Sequence, residues 1–393
     1  MTTVERTVVR YGTPELDDLI ARIAEGAFER ERDDVAPYEQ IRWIKESGLG
    51  ALRVPATEGG GGASARELFD VIVRLSHADS NVGHLLRAHY GTTEDIVAGP
   101  PSETRTRWIE RIVGGALFGN GNNEIGSALP AGQSSTVFTA QPDGAYTVTG
   151  TKYYSTGTLY ADYSFVTGAT DTGRPAFALL PVDREGVTLE DDWDGFGQHL
   201  TATGTTRLVA VRVEPDEITV VPEGVALPRW RLGPFYQHYL NAVVAGNVRA
   251  VLDDAIALLR SRTRSFTHGS ADLPREDPVL QAVVGEISAL AFATEAVVLE
   301  TAGLLDALDT DEQVHEAALR VSQAQITVDA LGLEAADLLF EVGGASATRR
   351  PFNRDRHWRN IRTVASHNPA RFKSRAVGEH LVNGTPLPDN TYF

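Results

Sequence analysis

The stretch that decides the fold is Thr136-Val137-Phe138-Thr139-Ala140, followed by Pro142-Asp143-Gly144 and by Tyr146-Thr147-Val148-Thr149. β-Branched and aromatic residues lie on both sides of a Pro-Asp-Gly turn, a pattern typical of two strands joined by a tight connection. Similar short runs recur from Phe118 to about Pro222. Together they predict an antiparallel sheet or barrel of roughly 100 residues.

The chain before this segment has the spacing of amphipathic helices. Apolar residues recur three and four positions apart in residues 16–23 and again in residues 68–75, which predicts helices. Four consecutive glycines at 59–62 interrupt this pattern. Because the run is so short, it predicts a tight turn within one domain rather than a flexible linker.

Long apolar stripes return after about Leu232, in residues 250–264, 278–307 and 312–342. Long helices with short connections predict an up-down bundle. We therefore predict an α+β chain with three domains. They are an N-terminal helical domain (1–117), a central antiparallel β-domain (118–225) and a C-terminal four-helix bundle (226–393).

The composition excludes several classes of protein. The chain has 393 residues, no cysteine and a net charge of −17. The acidic surface argues against a general affinity for nucleic acid or anionic membranes. The lack of cysteine excludes disulfides and Cys-ligated metal centres. Residues 1–6 lack the apolar core of a secretory signal, and no uncharged apolar run approaches the roughly 18 residues of a membrane span. We therefore expect a cytoplasmic protein.

Four local stretches share features with one family of flavoenzymes. They are Phe118-Gly119-Asn120-Gly121-Asn122-Asn123-Glu124-Ile125-Gly126-Ser127, Gly150-Thr151-Lys152-Tyr153-Tyr154-Ser155-Thr156-Gly157, Trp193-Asp194-Gly195-Phe196-Gly197-Gln198-His199-Leu200-Thr201, and Arg262-Thr263-Arg264-Ser265-Phe266. Their order, and the helix–sheet–helix layout around them, resemble the acyl-CoA dehydrogenase superfamily.

The resemblance implies a flavin site. The first stretch is similar to the family segment along the flavin pyrimidine ring, and the second to the strand and turn against flavin N5. The third stretch supplies Trp193. The fourth places Arg264, followed by Phe266, towards the flavin of a neighbouring subunit. The implied cofactor contacts are Asn120, Asn122, Asn123, Tyr154, Ser155, Thr156, Trp193, Arg264 and Phe266.

The C-terminal sequence Ser366-His367-Asn368-Pro369 narrows the resemblance. It is similar to the oxygen-activating branch of the superfamily that includes dibenzothiophene monooxygenases, in which a histidine precedes the Asp/Asn-Pro pair. His89 resembles a second active-site histidine of that branch. His89 and His367 could donate a proton to a flavin peroxide or shuttle it. Thr156 could supply a hydroxyl near N5.

Some positions depart from the family pattern. Thr156 stands where the monooxygenases often have Ser, Asn123 where Ser or Thr is common, and His199 where Arg is common. The run at 340–344 lacks the Gln with which dehydrogenases begin their contact with the FAD adenosine. This last departure favours FMN over FAD.

The resemblance thus implies a two-component monooxygenase that uses FMNH2 and a C4a-hydroperoxyflavin to oxidise a small organic substrate at sulfur or nitrogen. A separate reductase would supply FMNH2, because the chain lacks the Gly-x-Gly-x-x-Gly fingerprint of a dinucleotide site. The resemblance also implies a homotetramer. No histidine cluster has metal-ligand spacing, so we expect no metal.

Two alternatives remain open from the sequence. One is an FAD-dependent acyl-CoA dehydrogenase, and the other is a flavin-free binding or scaffold member of the superfamily. Individual residues also have ordinary explanations. His89 and His367 could be core or surface histidines, Tyr154 and Trp193 could be core aromatics, and Arg264 could lie on a solvated helix face. The turn-forming explanation applies to Asn120, Asn122 and Asn123.

Overall fold

The computed structural model describes residues 8–125, 134–223, 231–390 and 393. Residues 1–6, the Gly126-Ser127 end of the first stretch and the predicted boundary at 225/226 lie outside the described residues. The described part contains a helical N-terminal region, a sheet and a second helical region. The predicted α+β layout is therefore confirmed.

From residue 8 onwards, the N-terminal region contains seven α-helices. They are α1 (Pro14–Ala24), α2 (Ala27–Arg32), α3 (Tyr38–Ser47), α4 (Ala65–Ala78), α5 (Ser80–Leu85), α6 (Arg87–Ala98) and α7 (Glu103–Val113). At the start of α4, the Ser64 hydroxyl accepts from the Glu67 N–H and the Glu67 carboxylate accepts from the Ser64 N–H. This capping box satisfies two backbone donors that the first helical turn leaves unpaired.

The glycine run forms the predicted tight turn before α4. The Gly60 N–H donates to the Pro55 carbonyl and the Gly61 N–H to the Ala51 carbonyl. A Cβ atom on Gly60 would lie 2.2 Å from the Val54 carbonyl oxygen. Glycine is therefore required here by the close approach of two backbone segments.

The middle region is one eight-stranded sheet. Its strands are β1 (Phe118–Gly121), β2 (Val137–Ala140), β3 (Tyr146–Lys152), β4 (Tyr163–Thr170), β5 (Pro175–Pro181), β6 (Val187–Glu190), β7 (Thr205–Val213) and β8 (Ile218–Val220). The order is β6-β7-β3-β2-β4-β5-β8, with β1 paired to β4. Phe138, Val148 and Val211 form the centre of its apolar core.

The sheet is mixed, and the prediction of a wholly antiparallel domain was wrong. β1 and β2 each pair with β4 in parallel, whereas the other pairs are antiparallel. A parallel pair needs a crossover connection rather than a tight turn. Between β3 and β4 the chain crosses to the other side of β2 through a turn at residues 153–162 that carries several cleft residues.

The C-terminal region is a helical bundle. Its helices are α8 (Gly233–Ser261), α9 (Pro278–Ala302), α10 (Asp311–Gly343), α11 (Arg356–Ala365) and α12 (Ala370–Asn383). The three long helices pack on one another, and α12 packs on α10. α4 packs on α8, so one apolar core runs through both helical regions.

One stretch of the described chain, Pro278–Asp306, is long and apolar enough to cross a membrane by length and composition alone. It comprises α9 and the turn that follows it. Its buried positions, including Ile287 and Val298, belong to the core shared with α8 and α10. One such helix is weak evidence for a membrane span, because the core helix of a soluble protein passes the same test, and 22% of this stretch is buried in the single chain.

Candidate active site

A cleft lies where the sheet meets α5, α6, α8 and the segment after α11. It consists of two adjoining cavities of about 280 and 510 Å³. The two cavities share five lining residues, which are Arg87, Asn120, Asn123, Thr156 and His367. Residues from all three regions of the chain therefore converge on this cleft.

The structure brings most of the predicted site residues to this cleft. Asn122 lines the smaller cavity, and Tyr154 and Trp193 line the larger one. Ser155 is buried beside Thr156, and its hydroxyl has no hydrogen-bond partner among the described residues. Arg264 and Phe266 follow the C-terminal end of α8 and line neither cavity. Their predicted contact with a neighbouring subunit's flavin therefore remains a prediction.

An aromatic wall closes one side of the larger cavity. Tyr154 and Trp193 meet edge to face, with 6.2 Å between ring centroids. The backbone of Tyr154 is left-handed, with φ 55°, and its carbonyl accepts a bond from the Asn120 amide at 3.3 Å. The Trp193 indole N–H donates to the Gly197 carbonyl at 3.1 Å. These bonds fix two rings that can stack on a planar ligand.

His367 reaches the cleft from the loop between α11 and α12. Its Nε2 lies 3.1 Å from the Arg87 guanidinium. Because a guanidinium can only donate, Nε2 accepts this bond and the imidazole proton sits on Nδ1. The side chain is exposed at the cleft, but the walls of the cleft displace much of the surrounding water. This desolvation lowers the pKa of His367 well below its ordinary value, and the positive charge of Arg87 lowers it further.

His89 does not reach the cleft. Its imidazole is fully buried. Nε2 donates to the Gly50 carbonyl at 2.9 Å, and Nδ1 accepts from the Phe118 N–H at 3.3 Å. Burial lowers the pKa of His89 to about 4, so the ring is neutral. Since both ring nitrogens bond to backbone, His89 joins α6 to β1 and has no nitrogen left for a ligand.

The histidine that does reach the cleft from this segment is His84, which the sequence analysis missed. It lines the larger cavity. Its Nδ1 lies 3.1 Å from the Gln198 amide oxygen, so Nδ1 carries the proton and Nε2 is an acceptor. Burial lowers the pKa of His84 to about 4, as does the nearby charge of Arg87. His84 and His89 lie in the same short segment of sequence, and helical spacing alone could not tell which of the two histidines faces the cleft.

Glu124 anchors the edge of the larger cavity. Its carboxylate lies 2.6 Å from the Lys152 ammonium and accepts further bonds from Ser134, Ser135 and Thr136. Although burial alone would raise it, these bonds hold the pKa of Glu124 well below its ordinary range. The charge of Glu124 is thus matched within the protein.

The described residues suit a flavin better than a metal. The cleft offers aromatic faces, an amide at Asn120 and a hydroxyl at Thr156, which match the flat face and polar edge of an isoalloxazine ring. Among the described residues that line the cleft, the only carboxylate is Glu124, and it is already paired with Lys152. Among the described residues, no group of three or more His, Asp or Glu side chains could hold a metal ion.

Known proteins resemble the chain over nearly its whole length. Residues 5–116 match the acyl-CoA dehydrogenase N-terminal domain and residues 239–372 match the C-terminal domain. The dibenzothiophene monooxygenase of Mycolicibacterium goodii is 30% identical over 385 residues, which cover 92% of each chain. The probable FMNH2-dependent monooxygenase SfnC of Pseudomonas putida is 27% identical and covers 93% of each.

A solved structure agrees with these relatives. The FMN-bound TdsC of Paenibacillus sp. A11-2 superposes with a TM-score of 0.89 and 29% identity. The match covers 97% of this chain and 100% of TdsC.

Proposed function

The chain belongs to the acyl-CoA dehydrogenase superfamily, and from this membership and the cleft we propose that it is an FMNH2-dependent monooxygenase acting on a small organosulfur compound. The convergence of Asn120, Thr156 and His367 on one cleft carries the proposal. Relatives that match nearly the whole chain are named as monooxygenases, and one has been solved with FMN.

Each cleft residue has a role that its geometry allows. When bound, FMNH2 supplies the two electrons with which one atom of O2 becomes water while the other is transferred to sulfur. The imidazole of His367 is neutral, so its Nδ1–H donates a hydrogen bond, not a proton, to the oxygen species at the cleft. Nε2 of His84 is a nearby acceptor. Tyr154 and Trp193 exclude water, which would otherwise favour loss of hydrogen peroxide.

The acyl-CoA dehydrogenase alternative needs a carboxylate base that can take a proton from an acyl thioester. Among the described lining residues of both cavities, the only carboxylate is Glu124. Its pKa is depressed and the charged form already accepts bonds from Lys152 and three neighbouring residues. It is therefore a poor base, which favours oxygen transfer over dehydrogenation.

Partners and assembly form part of the proposal. We propose that a separate reductase supplies FMNH2 and that the protein acts in the cytoplasm as a homotetramer. Phe292 on α9 is 77% exposed in the single chain, and Phe372, Leu381 and Val382 on α12 are also exposed. Apolar patches of this kind favour subunit contacts. In such an assembly, Arg264 would pair with the flavin phosphate of a neighbour.

The test supplies the purified protein with FMN, NADH, oxygen and a generic flavin reductase. A panel of thiophenes, sulfides, sulfinates and amines is screened for a product 16 mass units heavier. We expect oxygen transfer to a sulfur compound, and His367→Ala should lose about 100-fold or more in product formation. Bleaching of the bound flavin by an acyl-CoA under anaerobic conditions, without oxygen transfer to any compound, would contradict the proposal.

A further inference from the structure

A chain of three hydroxyl groups begins at the cleft, where Thr156 and Thr203 line the larger cavity, and ends at the fully buried Thr201. The Thr156 and Thr203 hydroxyl oxygens are 3.0 Å apart, and those of Thr203 and Thr201 are 2.7 Å apart. The Thr201 hydroxyl then lies 2.8 Å from the carbonyl oxygen of Gln198. We call Thr156, Thr203 and Thr201 the hydroxyl chain.

Each hydroxyl group has one proton, and this fixes the direction of the hydrogen bonds along the hydroxyl chain. A carbonyl oxygen can only accept, so Thr201 donates its single proton to Gln198. Thr201 must then accept from Thr203, and Thr203 must accept from Thr156. The Thr156 proton therefore points away from the cleft. Thr156 presents only oxygen lone pairs to a ligand.

The inner end of the hydroxyl chain is held firmly. Gln198 is 1% exposed and has a left-handed backbone with φ 55°, a strained conformation for a residue other than glycine. Its N–H donates to the Asn360 amide oxygen at 2.7 Å and its amide donates to the Ser80 hydroxyl at 2.6 Å. The carbonyl that sets the direction of the chain is thus fixed before any ligand binds.

The two redox states of a flavin present opposite groups at N5: reduced flavin carries an N–H donor, whereas oxidised flavin has a lone-pair acceptor. We propose that the hydroxyl chain makes the cleft selective for reduced FMN by holding Thr156 as an acceptor. Thr201 and the Gln198 carbonyl set this orientation through Thr203, so Thr201 is a positioning residue. This inference rests on the proposed function and on the place against flavin N5 that the family resemblance implies for Thr156.

Selectivity of this kind suits a protein that receives its flavin already reduced. Oxidised FMN gains a hydrogen bond from Thr156 only if the Thr156 proton turns towards the cleft, which breaks the bond to Thr203. One neutral hydrogen bond corresponds to roughly a two- to tenfold change in affinity. Spent flavin is therefore released more readily than fresh flavin, and a new FMNH2 can enter.

The test measures the affinity of the protein for FMN in both redox states. Anaerobic fluorescence titration gives the two dissociation constants, and spectroelectrochemistry gives the midpoint potential of bound FMN. Each tenfold preference for the reduced form raises that potential by about 30 mV. We expect wild type to prefer reduced FMN, and Thr201→Val to lose roughly two- to tenfold of that preference. Without the Thr201 hydroxyl, Thr203 can donate to Thr156, and Thr156 can then turn its own proton towards the cleft.

Thr206→Val is the matched control. Thr206 is, like Thr201, a fully buried threonine, and its hydroxyl has no partner among the described residues. We expect the Thr206→Val variant to have the redox preference of wild type. An unchanged preference in Thr201→Val, or an equal loss in Thr206→Val, would overturn the inference. Wild type that binds both forms equally but still oxygenates a sulfur compound would overturn this inference alone, whereas protein that binds neither form would contradict the proposed function.

Discussion

Replacing His89 by leucine separates a structural role of this imidazole from a catalytic one. The substitution keeps most of the buried volume of the side chain. It removes the bond to the Gly50 carbonyl at 2.9 Å and the bond from the Phe118 N–H at 3.3 Å. Both backbone groups then remain buried without a partner.

The expected cost follows from those two groups. An unsatisfied buried donor or acceptor costs about 1–3 kcal/mol, so His89→Leu should lower the free energy of unfolding by about 2–6 kcal/mol. The effect also depends on pH. Because the folded-state pKa of His89 is depressed to about 4, its contribution is present above the ordinary histidine pKa of about 6.5 and is lost as pH falls towards 4. The difference between wild type and variant should therefore shrink from pH 8 to pH 5.

Urea denaturation at both pH values measures the stability, and product formed per folded molecule with reductase-supplied FMNH2 measures the activity. We expect a destabilised variant with turnover close to wild type. His367→Ala is the opposite case, since its side chain faces the cleft and its loss should lower turnover with little change in stability. If His89→Leu instead lost turnover about 100-fold while its unfolding free energy changed by less than about 1 kcal/mol, the structural assignment would be refuted.

Two other substitutions test the surroundings of the cleft. Lys152→Met should destabilise the protein by about 3–5 kcal/mol, because it leaves the largely buried Glu124 carboxylate without its cation. Arg212→Met breaks two exposed ion pairs, with Asp143 and Glu214, and should cost less than about 1 kcal/mol in the same denaturation experiment. Equal costs would contradict this account. Gln198→Glu places a carboxylate at the His84 Nδ1 and should raise the pKa of His84 from about 4. As the pH is lowered, His84 then becomes protonated earlier, so product formation should decline at a higher pH in the variant than in wild type. The pH–rate profile and the ¹⁵N shifts of the labelled histidines would report this change, and an unshifted profile with an unshifted imidazole would count against it.

The sequence predicted the layout and part of the cleft for physical reasons. Helical spacing identifies amphipathic helices because side chains three and four positions apart share a face. The motif residues Asn120, Thr156 and His367 converge as the family resemblance implied. The partner strand of β1 could not be read in the same way, because alternation of side chains is the same in parallel and antiparallel strands.

The choice between His84 and His89 needed tertiary structure. The two residues are five positions apart, so they lie on different faces of a continuous helix. Here α5 ends at Leu85 and α6 begins at Arg87, and this break changes the direction of each side chain. Which face meets the cleft depends on how both helices dock against the sheet. Arg264 and Phe266 raise a different problem, since their proposed contact needs a second chain.

The parallel pairing of β1 with β4 also bears on the order of folding. Phe118 pairs with Tyr163, and Asn120 with Phe165, so the intervening chain contains the β2–β3 hairpin and the crossover to β4. Closing so long a loop costs entropy that local contacts do not repay, so such pairings form late. The amide of Asn120 therefore reaches its place only when the sheet is nearly complete. A partly folded chain has no finished flavin site, and the cofactor can capture and stabilise only the final structure.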